Sequence, residues 1–151
     1  MFRRSENQVK FFKHLGGQGV FHLDFDYWYL CFLLGVASGV KAPVSNGQDM
    51  LPRFPEKYSG VDGVLTGMVL KGELVDKGVA LSERSEVHQV IDQLIAPSSV
   101  AHLSNSGFKA FNEYAEGGFE ILRERLEYQA PHDSVTFLIN YVEILLGAFD
   151  V

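Results

Sequence analysis

The feature that most constrains this fold is an apolar run in the N-terminal part of the chain, Phe25–Gly39, with the sequence FDYWYLCFLLGVASG. It contains the only tryptophan and the only cysteine among 151 residues. A helix that is apolar on every side is buried, and covering it occupies most of the other elements of a small domain. Its uncharged, mainly apolar part, Tyr27–Ala37, has eleven residues, whereas a helix needs ~20 to cross a bilayer. The run therefore predicts a core helix ended by Gly39.

A second apolar segment lies near the C-terminus and predicts a helix from Ser134 to about Leu146, with Asp133 as its cap. Apolar residues cover much of its circumference, so we expect it to pair with the Tyr27 helix at the centre. Apolar spacing predicts further helices before the glycines at 16–19, over Val61–Lys77, from a Ser82 cap to Pro97, and from Ser104 onward. The Ser104 helix keeps its apolar phase across Gly117–Gly118, which predicts one kinked helix or two nearly collinear pieces.

These elements predict an all-α or almost all-α fold: a single compact domain over residues 1–151, with five to six helices around a central apolar pair. Val20–Phe25 alternates apolar and polar residues and predicts a short extended entry, after which Asp24 or Asp26 caps the Tyr27 helix. Lys41–Ser59 holds three prolines and an Asn-Gly pair without a period, which predicts a long loop. Such loops are usually functional or disordered.

Charge is distributed unevenly along the chain. The net charge is -6, yet residues 1–14 form a basic N-terminal arm of net charge +3, which leaves -9 for the rest. An acidic body repels phosphate backbones, so a nucleic acid would be held only through a local patch. The candidate nucleic-acid-binding residues are the cations of the arm and of the long loop: Arg3, Arg4, Lys10, Lys13, Arg53 and Lys57.

Catalytic signatures are missing from the sequence. Gly16–Gly19 is not followed by the lysine and hydroxyl residue of a phosphate loop, and the serines lie at predicted helix starts rather than in a Gly-x-Ser-x-Gly turn. Cys31 lies in the apolar run, where burial keeps a thiol inert. His22, Asp24 and Asp26 alternate and would share one face of an extended segment, which is a candidate metal site, although helix capping is the commoner use of such aspartates. We expect no cofactor and favour a protein that is not an enzyme.

Two sets of residues are candidates for partner binding. Glutamates recur at helical spacing on the Ser104 helix and form an acidic strip that could dock a basic partner, although such a strip is more often the solvated side of a helix. The long loop adds two aromatic residues. The candidate partner-binding residues are Glu113, Glu116, Glu120, Glu124, Phe54 and Tyr58. Other protein subunits are the expected partners, and a homo-oligomer is compatible with the sequence.

A single cysteine permits no intrachain disulfide and fits a reducing cytoplasm. The polar start of the chain predicts no signal peptide.

Three segments, DYWYLCFLLGVASG, GVLTGMVLKGEL and NEYAEGGFEILRER, give the chain a resemblance to small bacterial proteins encoded beside DNA-modification and anti-phage genes, including those of DNA phosphorothioation islands. The resemblance implies an accessory subunit and assigns no active-site residue. The first hypothesis is therefore a non-catalytic accessory or adaptor subunit that acts through protein–protein contacts. The alternatives are direct nucleic-acid binding through the basic arm, and an enzyme or metal protein with its site at His22, Asp24 and Asp26.

Overall fold

The computed structural model describes residues 1–149 of the chain. Over that range the protein is mostly helical, as predicted, and it also has a small two-stranded sheet that the sequence did not predict. Short 3-10 turns lie at Lys13–Leu15 and Glu56–Tyr58. The elements of this part of the chain are β1 (Phe2–Ser5), α1 (Glu6–Phe12), α2 (Asp24–Ser38), β2 (Gly47–Leu51), α3 (Asp62–Asp76), α4 (Arg84–Leu94), α5 (Asn105–Arg125) and α6 (Ser134–Phe149).

The chain is organised in two compact units. Unit 1 comprises Met1–Phe2 and Leu51–Phe111, and the described residues of unit 2 are Arg3–Met50 together with 112–149. The predicted single domain over residues 1–151 stays a prediction beside this division.

Unit 1 is built on α3 and α4, which pack against each other. Leu65 and Val69 of α3 and Val90 and Leu94 of α4 are buried. α4 begins at Arg84, with Glu83 at the N-cap position, so the prediction that Ser82 caps this helix is wrong. The start of the chain contributes an aromatic residue to this unit, because Phe2 packs on three rings at centroid distances of 4.8, 5.0 and 5.8 Å: Phe54, Phe108 and Phe111.

Unit 2 has α2 at its core, as the apolar run predicted. Trp28 and Cys31 are fully buried, and Trp28 stacks on Phe32 with ring centroids 5.4 Å apart. The indole nitrogen of Trp28 donates to the backbone carbonyl of Arg3 at 3.1 Å. The predicted pairing of α2 with α6 is confirmed. The core cluster draws on α1, α2, α5 and α6: Phe11, Phe12, Leu15, Tyr27, Cys31, Leu34, Phe119, Leu122, Phe137, Tyr141 and Ile144.

α2 and α5 pack with their backbones in direct contact. A Cβ atom at Gly118 of α5 would overlap the carbonyl oxygen of Cys31, and one at Gly35 of α2 would overlap the carbonyl oxygen of Tyr114. Glycine is the residue that permits such close backbone approach. α5 is one continuous helix through Gly117–Gly118, which confirms the predicted continuity. The glycines in α5 therefore serve packing.

The start of α2 differs from the prediction, and its end agrees with it. The helix begins at Asp24, because the Asp26 carboxylate accepts hydrogen bonds from the backbone nitrogens of His22 and Leu23 at 3.1 and 3.0 Å. Such acceptance satisfies amide groups that a helix start leaves unpaired. Gly39 ends the helix with φ of +66°, as predicted.

Two strands replace parts of the predicted arm and loop. β1 lies within the predicted N-terminal arm, and β2 lies within the predicted 41–59 loop. The Arg3 guanidinium holds β2 by donating to the carbonyl of Gly47 at 2.8 Å and pairing with Asp49 at 2.8 Å. α1 follows β1 directly, since Ser5 Oγ accepts from the backbone nitrogen of Gln8 at 3.2 Å and caps the helix.

Candidate protein-binding face

The start of α6 is fixed by hydrogen bonds, and Asp133 is its cap as predicted. The Asp133 carboxylate accepts from the backbone nitrogen of Thr136 at 2.8 Å. Hydrogen bonding from Thr136 lowers the pKa of Asp133, because it favours the charged carboxylate. The Gln18 side chain joins the Gly16–Gly19 turn to the helix, since its oxygen accepts from the backbone nitrogen of Ser134 at 2.9 Å.

One side of α6 is buried in unit 2. Phe137, Tyr141 and Ile144 face the core, and the Tyr141 hydroxyl donates to the backbone carbonyl of Leu30 in α2. Burial raises the pKa of Tyr141, and the neighbouring Cys31 thiol adds to that shift. The buried side and the cap together fix the rotation of α6 about its axis.

The opposite side of α6 is an exposed apolar face. Its five members recur at steps of four, three, four and three residues, which is the spacing of a helix–helix seam. Their side chains keep between 47% and 60% of their surface in contact with solvent. This exposed α6 face consists of Val135, Ile139, Val142, Leu146 and Phe149. The prediction that α6 is central is therefore right for one side of the helix and wrong for the other.

The exposed α6 face carries little charge. Within Ser134–Phe149, Glu143 is the only charged residue, and it is exposed beside the apolar face. No lysine or arginine occurs in this helix. The face can therefore exclude water against another apolar surface, and it offers nothing that would bind a phosphate backbone.

A shallow groove adjoins the first turns of α6. It has a volume of about 270 Å³ and is lined by residues of the α5–α6 connection and of the helix itself, including Gln129, His132, Thr136 and Asn140. His132 stacks on His14 with ring centroids 4.1 Å apart. The Gln18 amide nitrogen donates to the carbonyls of both histidines, at 2.9 Å for His14 and 2.7 Å for His132.

The His14 ring lies beside two basic neighbours. The pKa of His14 is lowered, first by partial desolvation of its ring and then by the neighbouring His132 and Lys13.

The candidate nucleic-acid-binding cations lie in both units. Arg3 pairs with Asp49, Arg4 pairs with Asp24 at 2.9 Å, and Lys10 pairs with Glu6 at 3.1 Å. Lys13 is exposed in the 3-10 turn after α1. Arg53 is exposed in unit 1, where Lys57 lies over the ring of Tyr58 at 5.6 Å. Three of the four cations of the predicted arm thus have acidic partners within unit 2.

The candidate partner-binding residues divide by exposure. Glu120 and Glu124 are exposed on α5, and Glu113 is half-buried. Glu116 is buried, with only 5% of its surface exposed, and accepts from the Gln8 amide nitrogen at 2.6 Å. Glu116 is therefore not part of an exposed strip, because the four-residue spacing that places it beside Glu120 also turns it toward α1.

The two aromatic candidates of the loop pack inside unit 1. Phe54 is half-buried with its ring 5.7 Å from that of Phe111, and Tyr58 keeps 7% of its surface exposed. The candidate metal ligands have other roles: Asp26 caps α2, Asp24 pairs with Arg4, and His22 is exposed. Among residues 1–149 the structure brings together no group of three or more His, Cys, Asp or Glu side chains suited to a metal ion.

Burial raises the pKa of the Cys31 thiol well above its usual value, with a smaller contribution from the nearby Glu116 carboxylate. This agrees with the prediction of an inert thiol.

Sequence reasoning missed the exposed α6 face. The signal was present as two interleaved apolar stripes on one helix, since Phe137, Tyr141 and Ile144 form one and the exposed face forms the other. Spacing shows that both stripes exist and does not show which of them the chain itself covers.

Comparison with known proteins adds no relative: no protein-family model, no curated protein and no solved structure matches this chain. Among the helices of residues 1–149, none is both long enough and apolar enough to pass through a bilayer.

Proposed function

We propose that this protein is a non-catalytic accessory or adaptor subunit that acts through protein–protein contacts made by the exposed α6 face. The observation that carries the proposal is that face itself, five apolar side chains at seam spacing on a helix whose other side and first turn are fixed. Contiguous exposed apolar surface of this kind marks interaction sites on folded proteins. The resemblance to accessory proteins of DNA-modification and anti-phage islands makes such a complex the first place to look for a partner.

The test is recovery of bound protein from cells. A tagged chain and an untagged copy are expressed together in a bacterial host that carries the native neighbouring genes, and the tagged chain is purified. We expect stoichiometric protein, either the untagged copy or another subunit, to be recovered with it. Val142→Glu places a charge in the centre of the face and is expected to abolish recovery.

A matched control comes from α3. Val64 keeps 65% of its surface exposed and lies near the start of α3, so Val64→Glu adds the same charge at an equally exposed apolar residue in unit 1. We expect recovery to be unchanged by Val64→Glu. Recovery that is also unchanged by Val142→Glu, or no recovered protein at all, would contradict the proposed function.

A further inference from the structure

We infer that the exposed α6 face pairs with the same face of a second copy of this chain, with the two α6 helices antiparallel about a two-fold axis. The inference rests on the proposed function and names its partner. Closed two-fold dimers are the commonest assembly of soluble proteins, and they require a self-complementary patch.

The first support is the area of the face. Its five side chains are roughly half exposed or more, and together they leave on the order of 500 Å² of apolar surface on each copy. Complete burial of both faces would remove at most about 1,000 Å² from water, which is the size at which specific interfaces begin. Leu138 and Leu145, which flank the face and are half-buried, would add to this area.

The second support is the register that the spacing allows. The seam of a heptad repeat has two kinds of position, which alternate along the helix. In an antiparallel pair, a residue at one kind of position packs against a residue at the other kind on the neighbouring helix. With Ile139 opposite Val142 of the second copy, Val135 falls opposite its Leu146, and the two-fold axis repeats both contacts. The pairing then has four apolar layers without a polar residue among them.

The third support is charge. In this register Glu143 lies nearest to Thr136 of the second copy. A shift of one heptad toward the C-terminus would bring Glu143 against Glu143 of the second copy, where like charges repel. The single charged residue of the helix therefore tolerates self-pairing in this register and disfavours the register shifted by one heptad toward the C-terminus.

Charge also argues against other occupants of the face. A helix that lies on a membrane surface carries lysine or arginine on its polar side, and a nucleic-acid interface needs cations. Ser134–Phe149 contains neither residue type. The partner that fits this face is therefore another apolar helix, and a second copy of the chain supplies one in its α6.

The first experiment measures the oligomeric state of the purified full chain. Light scattering after size exclusion at about 100 µM should give about twice the 16.9 kDa of one chain, with a dissociation constant on the order of 10 µM. Val142→Glu should weaken association roughly 100-fold or more, because it places two uncompensated charges in the seam. Val64→Glu, on α3, should leave the dimer unchanged.

The second experiment tests the register by cysteine crosslinking. Cys31 is the only native cysteine and is fully buried, so an introduced cysteine is the reactive one. A mixture of Ile139→Cys and Val142→Cys chains, distinguished by a tag, should form a mixed disulfide about tenfold faster than either variant forms one with itself. Faster self-crosslinking of Ile139→Cys would indicate a parallel pair and would overturn the inferred arrangement.

The outcomes separate this inference from the proposed function. A monomer at 100 µM that still recovers another subunit, in a manner sensitive to Val142→Glu, overturns the second copy as partner and leaves the proposed function standing. A monomer that binds vesicles and no protein overturns both. If Val142→Glu loses its helical circular dichroism, Ile139→Glu replaces it, since Ile139 is 57% exposed.

Discussion

α2 and α6 are both strongly apolar helices in unit 2, and the fold treats them differently. α2 is enclosed on several sides, with Trp28, Cys31 and Phe32 fully buried and Gly35 in contact with the backbone of α5. α6 has one buried side and one exposed side of comparable apolar character. The difference lies in what surrounds each helix, because Gly35 of α2 lies against the backbone of α5, whereas a Cβ at Gly147 of α6 would meet no atom within 4 Å. The apolar composition of a helix therefore does not show which of its sides the same chain buries.

The largest expected effect comes from filling the close contact between α2 and α5. Gly118→Ala places a methyl group against the Cys31 carbonyl, which is backbone and cannot move aside. We expect a loss of at least about 3 kcal/mol in the free energy of unfolding, or failure to fold. Denaturant unfolding followed by circular dichroism measures the loss.

The matched control for Gly118→Ala is Gly67→Ala in α3. A Cβ at Gly67 meets no atom within 4 Å, so the change should stabilise by about 1 kcal/mol through helix propensity. Equal effects of the two alanines would show that α2 and α5 are not in backbone contact.

A second variant pair compares the two sides of α6. Phe137→Ala removes a ring that is 2% exposed and should cost about 3–5 kcal/mol. Ile139→Ala, on the exposed α6 face, should change the unfolding free energy of the monomer by about 0.5 kcal/mol or less. Both are measured at protein concentrations well below the dissociation constant of about 10 µM expected for the inferred dimer. A large loss for Ile139→Ala under those conditions would mean that the chain covers this side itself.

Unit 2 also contains a buried carboxylate, Glu116 of α5, beside α1. Glu116→Ala leaves the Gln8 amide without its acceptor and should cost about 1–3 kcal/mol, whereas Glu116→Gln keeps an acceptor and should cost less. Burial raises the pKa of Glu116 in the folded state, so the folded chain binds its proton more tightly than the unfolded chain.

Stability should decrease as pH rises from the ordinary glutamate value of 4.5 through the raised folded value, and Glu116→Gln should flatten this slope. An unchanged slope in thermal unfolding between pH 4 and 7 would contradict the burial of a titrating carboxylate here.

The smallest expected effect concerns the turn that holds the start of α6. The pKa of His14 is lowered in the fold, so the unfolded chain takes up this proton first as pH falls below the ordinary value of 6.5. Stability should therefore decline modestly between pH 7 and pH 5, and His14→Gln should reduce the decline. His88→Gln, which replaces an exposed histidine on α4, is the control in the same thermal unfolding series.

Periodicity predicted the helical part of the fold well because burial and glycine act locally. The run around Trp28, the stop at Gly39 and the unbroken α5 were all readable from spacing. The strands were not, since β1 and β2 are short and polar and depend on long-range contacts such as that of Arg3 with Asp49. Glu116, predicted on an exposed strip, is buried, and the exposed α6 face was missed. Both errors have one reason: a helical pattern gives the angle of a side chain and not the identity of what lies opposite.

The two separate segments of unit 2 have a consequence for synthesis on the ribosome. Its N-terminal segment, which includes α2, hydrogen-bonds to residues of α5 more than a hundred positions later, through Arg3 with Asn112 and Gln8 with Glu116. About 60 residues separate the two segments, which at about 5–20 residues per second is roughly 3–12 s of translation. During that interval α2 lacks the cover that α5 and α6 give it in the folded chain, and we expect chaperones that bind exposed apolar segments to recognise the nascent chain.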